Sequence, residues 1–515
     1  MKWTTVRHVL ASRSDFRDSR REAVASRPYL PRREMTSSAR LPKIIQGGMG
    51  IAVSNWRLAR AVSSAGQLGV VSGTAIDSVL VRRLQDGDVC GSMRRVMERF
   101  PLPDVSAYVL RRFFQPNGRS GEPYRLLPMY RQVVSPLRQQ ITMLAAFVEV
   151  ALAKEGHDGM VGMNLLTKVQ MPTLPTLYGA MLAGVNVVIM GAGIPREIPG
   201  ALDVLARHEA ATLKFDVEGL PSGFTEQLTF DPRAHLPAAT TPLDRPRFFP
   251  IVSAASLAQT LARKSNGAVD GFVVEGPTAG GHNAPPRGKL QLTASGEPIY
   301  GERDVVDLAT MREIGLPFWL AGGVGSPEAL EQALAAGASG IQVGTLFAYA
   351  EESGFSPEVR RAVVSAAAHD RITVRTDVRA SPTGYPFKVA MVDDAPLLHG
   401  ERDRLCDLGY LRTAVRTERG GITYRCPAEP VDQFVAKGGT VEETVDRQCL
   451  CNALFACIGM GQARDDGSVE PPIVTSGDDV IVLNRFLKGR ESYTAADVLE
   501  YLMRSAPVPL PNHDA

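Results

Sequence analysis

The 515-residue chain has little of what marks several protein classes. Its six cysteines are too sparse for a disulfide-built scaffold. It has no long apolar run: the most hydrophobic stretch, 141–153, is short and carries Glu149, so a membrane-spanning helix is not expected. The formal net charge is only +2, and 44% of the residues are hydrophobic, a balance that excludes disorder as the dominant state. The sequence contains no H-E-x-x-H, no G-x-S-x-G and no P-loop lysine. Their absence removes the zinc-protease, serine-hydrolase and P-loop nucleotidase readings.

The small net charge hides an uneven spread. Residues 1–40 hold ten Lys or Arg against four Asp or Glu, while the remainder holds 47 against 51. The mildly acidic body gives no electrostatic reason to expect nucleic acid. The head is rich in Arg and Ser, as transit peptides are, but it has no apolar run and keeps four acids. A basic disordered head, or a reading frame extended upstream of Met35, is therefore expected over 1–40. No secretory apolar region is visible, so the expected location is cytoplasmic.

From residue 41 to about 392 the chain alternates short apolar runs with helical patterns. The runs are 43–46 (KIIQ), 68–71 (LGVV), 160–165 (MVGMNL), 187–190 (VVIM), 248–252 (FFPIV), 271–274 (GFVV), 318–321 (FWLA) and 340–343 (GIQV). Each is continuous and unalternated, as strands buried on both faces are. Helical patterns cover 55–65, 172–183, 201–208, 255–264, 304–314 and 327–336, with Ser54 and Ser326 as expected caps. Eight such units predict an α/β (β/α)8 TIM barrel over 41–392. A ninth run, 212–216 (TLKFD), is surplus; it reads as an inserted hairpin, and a doubly wound sheet would also hold it. A helical insertion of about 75–158 follows the second strand, with a packing or homodimer role or that of a lid. The rhythm stops near 392, and 393–515 is expected to pack on the barrel. There 492–502 (SYTAADVLEYL) reads as a helix capped by Thr494.

Four glycine-rich segments follow these strands: Gln46-Gly47-Gly48-Met49-Gly50, Ala279-Gly280-Gly281-His282, Ala321-Gly322-Gly323-Val324-Gly325 and Gly344-Thr345. In a barrel all four share one rim, where glycine lets a ligand approach the backbone. The last two follow strands seven and eight, the usual place for a phosphate. His282 is the residue most suited to proton transfer on that rim. A histidine held structurally in its loop is the alternative.

The segments IIQGGM, VGMNLL, VVEGPTAGGH, LAGGVGSPEALEQALAAGASGIQVGT and FAYAEESG, with SPTGYPFKV, resemble the nitronate monooxygenase (2-nitropropane dioxygenase-like) flavoenzymes from about residue 41 to 389. The resemblance implies an FMN-binding barrel. It places Gly48 and Met49 beside the flavin, Asn164 at the isoalloxazine edge and Gly280 and Gly281 against the cofactor. Gly322, Gly323, Gly344 and Thr345 would hold the FMN phosphate, and His282 would be the catalytic proton-transferring residue. Where the compact enzymes continue AGGH with Arg-Gly, this chain has Asn283-Ala284-Pro285-Pro286-Arg287. That departure, the surplus hairpin and the C-terminal region lean toward larger relatives, the trans-acting enoyl reductases. The implied activity is FMN-dependent oxidation of a small acidic-carbon substrate with O2. The alternative on the same barrel is an NAD(P)H-dependent enoyl-thioester or quinone reductase, with Arg287 and Lys289 meeting a phosphate. A non-enzymatic binding subunit is disfavoured by the intact glycine segments. The partners expected are small molecules, with no nucleic acid and no membrane.

Five of the six cysteines lie in the last 110 residues. Cys406, Cys426, Cys449 and Cys451 would offer four thiolates to Zn or an Fe–S cluster if the fold gathers them, although Cys449-x-Cys451 is a poorer clamp than C-x2-C. Reduced spectator thiols are the alternative.

Overall fold

Eight parallel strands form the centre of the molecule: Ile44–Gln46, Gly69–Ser72, Val161–Leu166, Val187–Gly191, Arg247–Val252, Phe272–Glu275, Phe318–Ala321 and Gly340–Val343. The computed structural model describes residues 41–392 and 402–504. The basic head and the boundary placed at 392/393 fall, wholly or in part, outside the described residues.

Each strand neighbours the next in the sheet, and the eighth pairs with the first in register Ile44↔Ile341, Ile45↔Gln342 and Gln46↔Val343. The remaining seam, between strands one and two, is closed by few backbone bonds: Gln46 N donates to Leu68 O (2.9 Å) and Leu68 N to Ile44 O (3.1 Å). The fully buried Gln46 side chain supplies the rest, accepting from Val70 N at 2.9 Å. Buried peptide groups must be paired, and here a side-chain amide stands in for a ladder. The sheet is therefore a closed (β/α)8 barrel. At the N-terminal side of the seventh strand, Trp319 stacks on Phe249 with ring centroids 4.9 Å apart and donates its indole N–H to Pro42 O at 2.8 Å. These buried rings plug the end opposite the loops that follow the strands.

Helices expected between the strands are present, with one change of cap. Asn55, not Ser54, accepts from Arg57 N and Leu58 N to start Trp56–Ser64. The Ser54 hydroxyl instead receives Met49 N at 2.8 Å and donates to Gly47 O at 2.8 Å, fixing the first glycine segment. Ser326 caps Pro327–Ala335 and Thr494 caps Ala495–Leu502. The surplus run is an antiparallel hairpin, Ala211–Phe215 with Glu226–Phe230.

The insertion is four helices: Ile76–Gln85, Ser92–Met97, Pro103–Phe113 and Pro136–Ala153. The last contains the apolar stretch 141–153, and it is a core helix, packed on Trp56–Ser64, Ile76–Gln85 and Thr173–Leu182. Its crossing with Thr173–Leu182 is so close that a Cβ on Gly179 would lie 2.2 Å from Met143 O. The buried Glu149 within it pairs with Arg83 at 2.5 Å and accepts Trp56 N at 2.8 Å, so no charge is left bare in the core. Among the described residues no helix is long and apolar enough to cross a membrane.

A buried polar cluster ties this insertion to the C-terminal region. Asp77 pairs with Arg138 at 2.6 Å, their side chains 1% and 5% exposed. Asp77 also accepts from Thr142 Oγ1 at 3.0 Å and from the Tyr410 hydroxyl, which in turn meets Ser78 Oγ at 2.7 Å. Burial alone would push the Asp77 carboxyl up; Arg138 and the Tyr410 hydroxyl outweigh it and hold it below its usual value. Replacing Asp77 by Ala leaves Arg138 buried and uncompensated. The expected cost is ~3–5 kcal/mol, read from denaturant midpoints. A loss under ~1 kcal/mol, the size expected of an exposed pair, would show the cluster to be solvated.

Candidate active site

Everything that follows the C-terminal ends of the strands meets around one cavity. From the barrel it is lined by Gly48, Met49, Asn164, Gly280, Gly281, His282, Gly322, Gly323, Gly344 and Thr345, so each of the expected cofactor positions and the histidine face the same space. The two halves of that wall have different local causes. Gly48 has no alternative: a Cβ there would lie 2.1 Å from Asn164 Cβ, so strand three can approach the first loop only over glycine. Gly322, at φ +92°, turns the chain after strand seven in a conformation that side chains rarely adopt, and its missing Cβ would sit 2.9 Å from Ala279 N. The Gln342 Oε1 atom, buried in the wall, has no hydrogen-bond partner among the described residues.

His282 is held from behind. Its Nε2 lies 2.7 Å from Ser381 Oγ, and its ring packs edge-on against Phe387 at 4.9 Å. Ser381 is itself fixed by Thr383 Oγ1 at 2.8 Å. With Nε2 committed, Nδ1 is the nitrogen left for proton exchange. Burial, and secondarily the nearby Lys168 ammonium, lower the imidazole to about 4, so it is a neutral, weak base at neutral pH. Glu275, the last residue of strand six, lines the same cavity, and burial raises its carboxyl to about 8. It is thus a neutral acid near pH 7. Asp479, beside Thr345, is likewise pushed up by burial. These three groups in the wall are all biased toward their uncharged forms.

Three other parts of the wall come from beyond the strands and carried no recognisable pattern in the sequence. Tyr410, Leu411, Cys451 and Leu454 line one side, and Thr475, Ser476, Gly477 and Asp479 lie across the Ala279–His282 loop. Glu275 had a visible signal, an acid directly after a buried apolar run, that sequence reasoning passed over.

The structure corrects two expectations. Arg287 does not reach the cavity: its guanidinium is spent on the Arg303 carbonyl (2.6 Å) and the Ser253 carbonyl. Lys289 is not part of the wall either. The four-thiolate metal site is not formed. Among the described residues no group of three or more His, Cys, Asp or Glu side chains is placed to hold a metal ion. Cys406, Cys426, Cys449 and Cys451 influence one another electrostatically, and Cys451 also lines the cavity.

A glycine-lined cavity on the loop-bearing rim of a closed (β/α)8 barrel lies where this fold places its ligand sites. Residues 232–386 match the family model described as nitronate monooxygenase. A "Probable nitronate monooxygenase" of Staphylococcus saprophyticus is 33% identical over 139 residues, 27% of this chain; the match spans 36% of that relative, about a third of its length. Distant likenesses also link 90% of the chain to solved structures. These are FabK from Thermotoga maritima (92% of that chain, 16% identity, TM-score 0.43) and nitroalkane oxidase from Streptomyces ansochromogenes (94%, 15%, 0.42). The family match therefore covers part of the barrel, residues 232–386 of the 515-residue chain.

The raised Glu275 carboxyl has a consequence for stability. Between about pH 4.5 and 8 the unfolded chain ionises this group while the native state keeps its proton, so the native state loses stability as pH rises through that window. In ligand-free protein, Glu275→Gln should therefore gain stability relative to wild type at pH 8 and lose that advantage by pH 4.5. Urea midpoints across this range measure it, and a pH-independent difference would show that Glu275 is solvated.

Proposed function

We propose that the chain is an FMN-dependent oxidoreductase that oxidises a small acidic-carbon substrate with O2, as nitronate monooxygenases do. The observation that carries the reading is the convergence of four glycine segments and His282 on one cavity. The residues present suit the cofactor. Peptide N–H groups at Gly322, Gly323 and Gly344 and the Thr345 hydroxyl would hold the phosphate. The unpartnered Gln342 Oε1 and the Asn164 side chain would meet the polar edge of the ring. Bound FMN would supply two-electron redox chemistry, and the protein supplies binding, orientation and proton handling.

His282 handles the proton in this reading. Its Nδ1 faces a carbon acid as a neutral base, and the imidazolium so formed, destabilised by burial and Lys168, returns the proton readily. Lys168 suits an anionic substrate head for the same reason. The apolar wall contributed by Leu411 and Leu454 limits water around the reacting atoms.

One observation favours the reductase alternative. A second, more open groove meets the cavity at Leu411 and carries Lys168, Arg196, Lys214 and Lys264 against Glu197 and Asp216. Such a groove suits the phosphates of NAD(P)H.

Purified protein is expected to be yellow and to release FMN on denaturation; colourless protein that FMN does not reconstitute would overturn the reading. His282→Ala should retain the flavin and lose ~10²–10⁴-fold in turnover, because none of the groups proposed to hold the phosphate is His282 while the proton path runs through it. Anaerobic titration separates the two activities: bleaching by a nitronate supports the oxidase, and bleaching by NADPH alone supports the reductase.

A further inference from the structure

Two cysteines stand in the partition between the cofactor cavity and a separate groove. Cys449 is the N-cap residue of the helix Leu450–Cys457, and it lines a groove of ≈ 750 Å³. Cys451, two residues on, lines the cofactor cavity. The two residues lie two positions apart at the start of the helix, one lining each chamber, and the Cys451 thiol is close enough to act on that of Cys449.

The groove is cationic. It is lined by Arg375, Arg379, Arg402, Arg404 and Arg447, against Asp377, Asp403 and Asp446. Arg379 pairs with Asp446 at 3.1 Å and Arg402 with Glu470 at 3.2 Å, so the remaining positive charge lies on Arg375, Arg404 and Arg447, against Asp377 and Asp403. Arg404 spends its donors on the carbonyls of Glu429, Thr444, Arg447 and Pro427, and Arg447 on those of Val378, Arg379 and Ser381. Carbonyls satisfy hydrogen bonds without cancelling charge, so the groove offers a positive field to a ligand bearing carboxylates.

We propose that Cys449 and Cys451 are a redox dithiol, and that the arginine groove delivers to it a small, carboxylate-bearing disulfide of the glutathione disulfide class. Cys449 Sγ attacks one sulfur of the bound disulfide, forming a mixed disulfide and releasing the first thiol. Cys451 Sγ then attacks Cys449 Sγ, forming the Cys449–Cys451 bond and releasing the second thiol. The ligand disulfide gains two electrons, the dithiol loses two, and the two thiol protons leave on the products. The neighbouring thiols are poorer candidates: burial pushes Cys406 up to about 11 and Cys426 up to about 12. The Cys451 thiol, with help from Asn452 N–H, instead holds Cys449 below its ordinary value.

The test is made on the full chain, first reduced, then exposed anaerobically to glutathione disulfide, alkylated and mapped by peptide mass spectrometry. The expected product is a Cys449–Cys451 disulfide with Cys406, Cys426 and Cys457 alkylated. The exposed Cys90 serves as the single-thiol comparison and should keep a glutathione adduct. Cys451→Ser should trap glutathione on Cys449, and neutral hydroxyethyl disulfide should react more slowly than the anionic reagent in wild type. A disulfide joining Cys449 to Cys406 or Cys426, an unreactive Cys449, equal rates with the neutral reagent, or a stoichiometric zinc ion protecting the thiols would each overturn the proposal. The wild-type map stands even where the Ser variant does not fold, and none of these readouts depends on the oxidoreductase activity.

Discussion

A loop laid across a cavity must find partners for its peptide groups, and the Ala279–His282 loop finds almost none in the barrel. Lys388 N donates to Gly281 O and Asn283 N to Pro386 O, each at 2.9 Å, from one side. From the other, Gly281 N donates to Thr475 Oγ1 at 2.8 Å and Asp478 N to Thr278 O at 3.0 Å. The two sides are joined by the Lys388–Asp478 pair at 2.6 Å, with Lys388 almost fully buried. Unpaired peptide groups here would cost about 1–3 kcal/mol each, so the loop's shape depends on chain lying beyond the eight strands. His282 inherits its position from that arrangement, through Ser381 and Phe387.

The electrostatics of the cavity follow from the same enclosure. Covering the rim removes water from His282, Glu275 and Asp479, and each responds by favouring its neutral form. A wall of neutral groups tolerates an incoming anion and reserves its strongest interactions for charge that a ligand brings. Asp479, beside Thr345, is shifted by burial in the same direction.

The strands were legible because burial on both faces leaves continuous apolar runs, and all eight lie within a residue or two of those runs. The hairpin at 211–230 was legible as a surplus for the opposite reason: Ala211–Phe215 alternates buried and exposed residues, as only a half-buried strand does. The four glycine segments were legible because each directly follows an apolar run, and close approach demands glycine at Gly48, Gly280 and Gly322 among them. What the sequence hid were contacts that depend on distant chain meeting in space. Thr475 and Ser381 look like ordinary loop residues, and nothing local says that one receives Gly281 N and the other fixes His282. The cysteine expectation failed on the same ground, since spacing gave no direction for the four side chains, and no metal-holding group forms among the described residues.

The buried cluster of Asp77, Arg138 and Tyr410 gives the two appendages a shared fate. Asp77 and Arg138 belong to the inserted helices, Tyr410 to the region after the barrel, and Tyr410 is also part of the cavity wall. Trimming the protein toward a minimal barrel is therefore not a matter of removing either piece alone. Excising the C-terminal region would open an ion pair to solvent inside the insertion, and excising the insertion would strand a buried phenol in the cavity wall. The two additions form a single graft, transferable to another barrel only together.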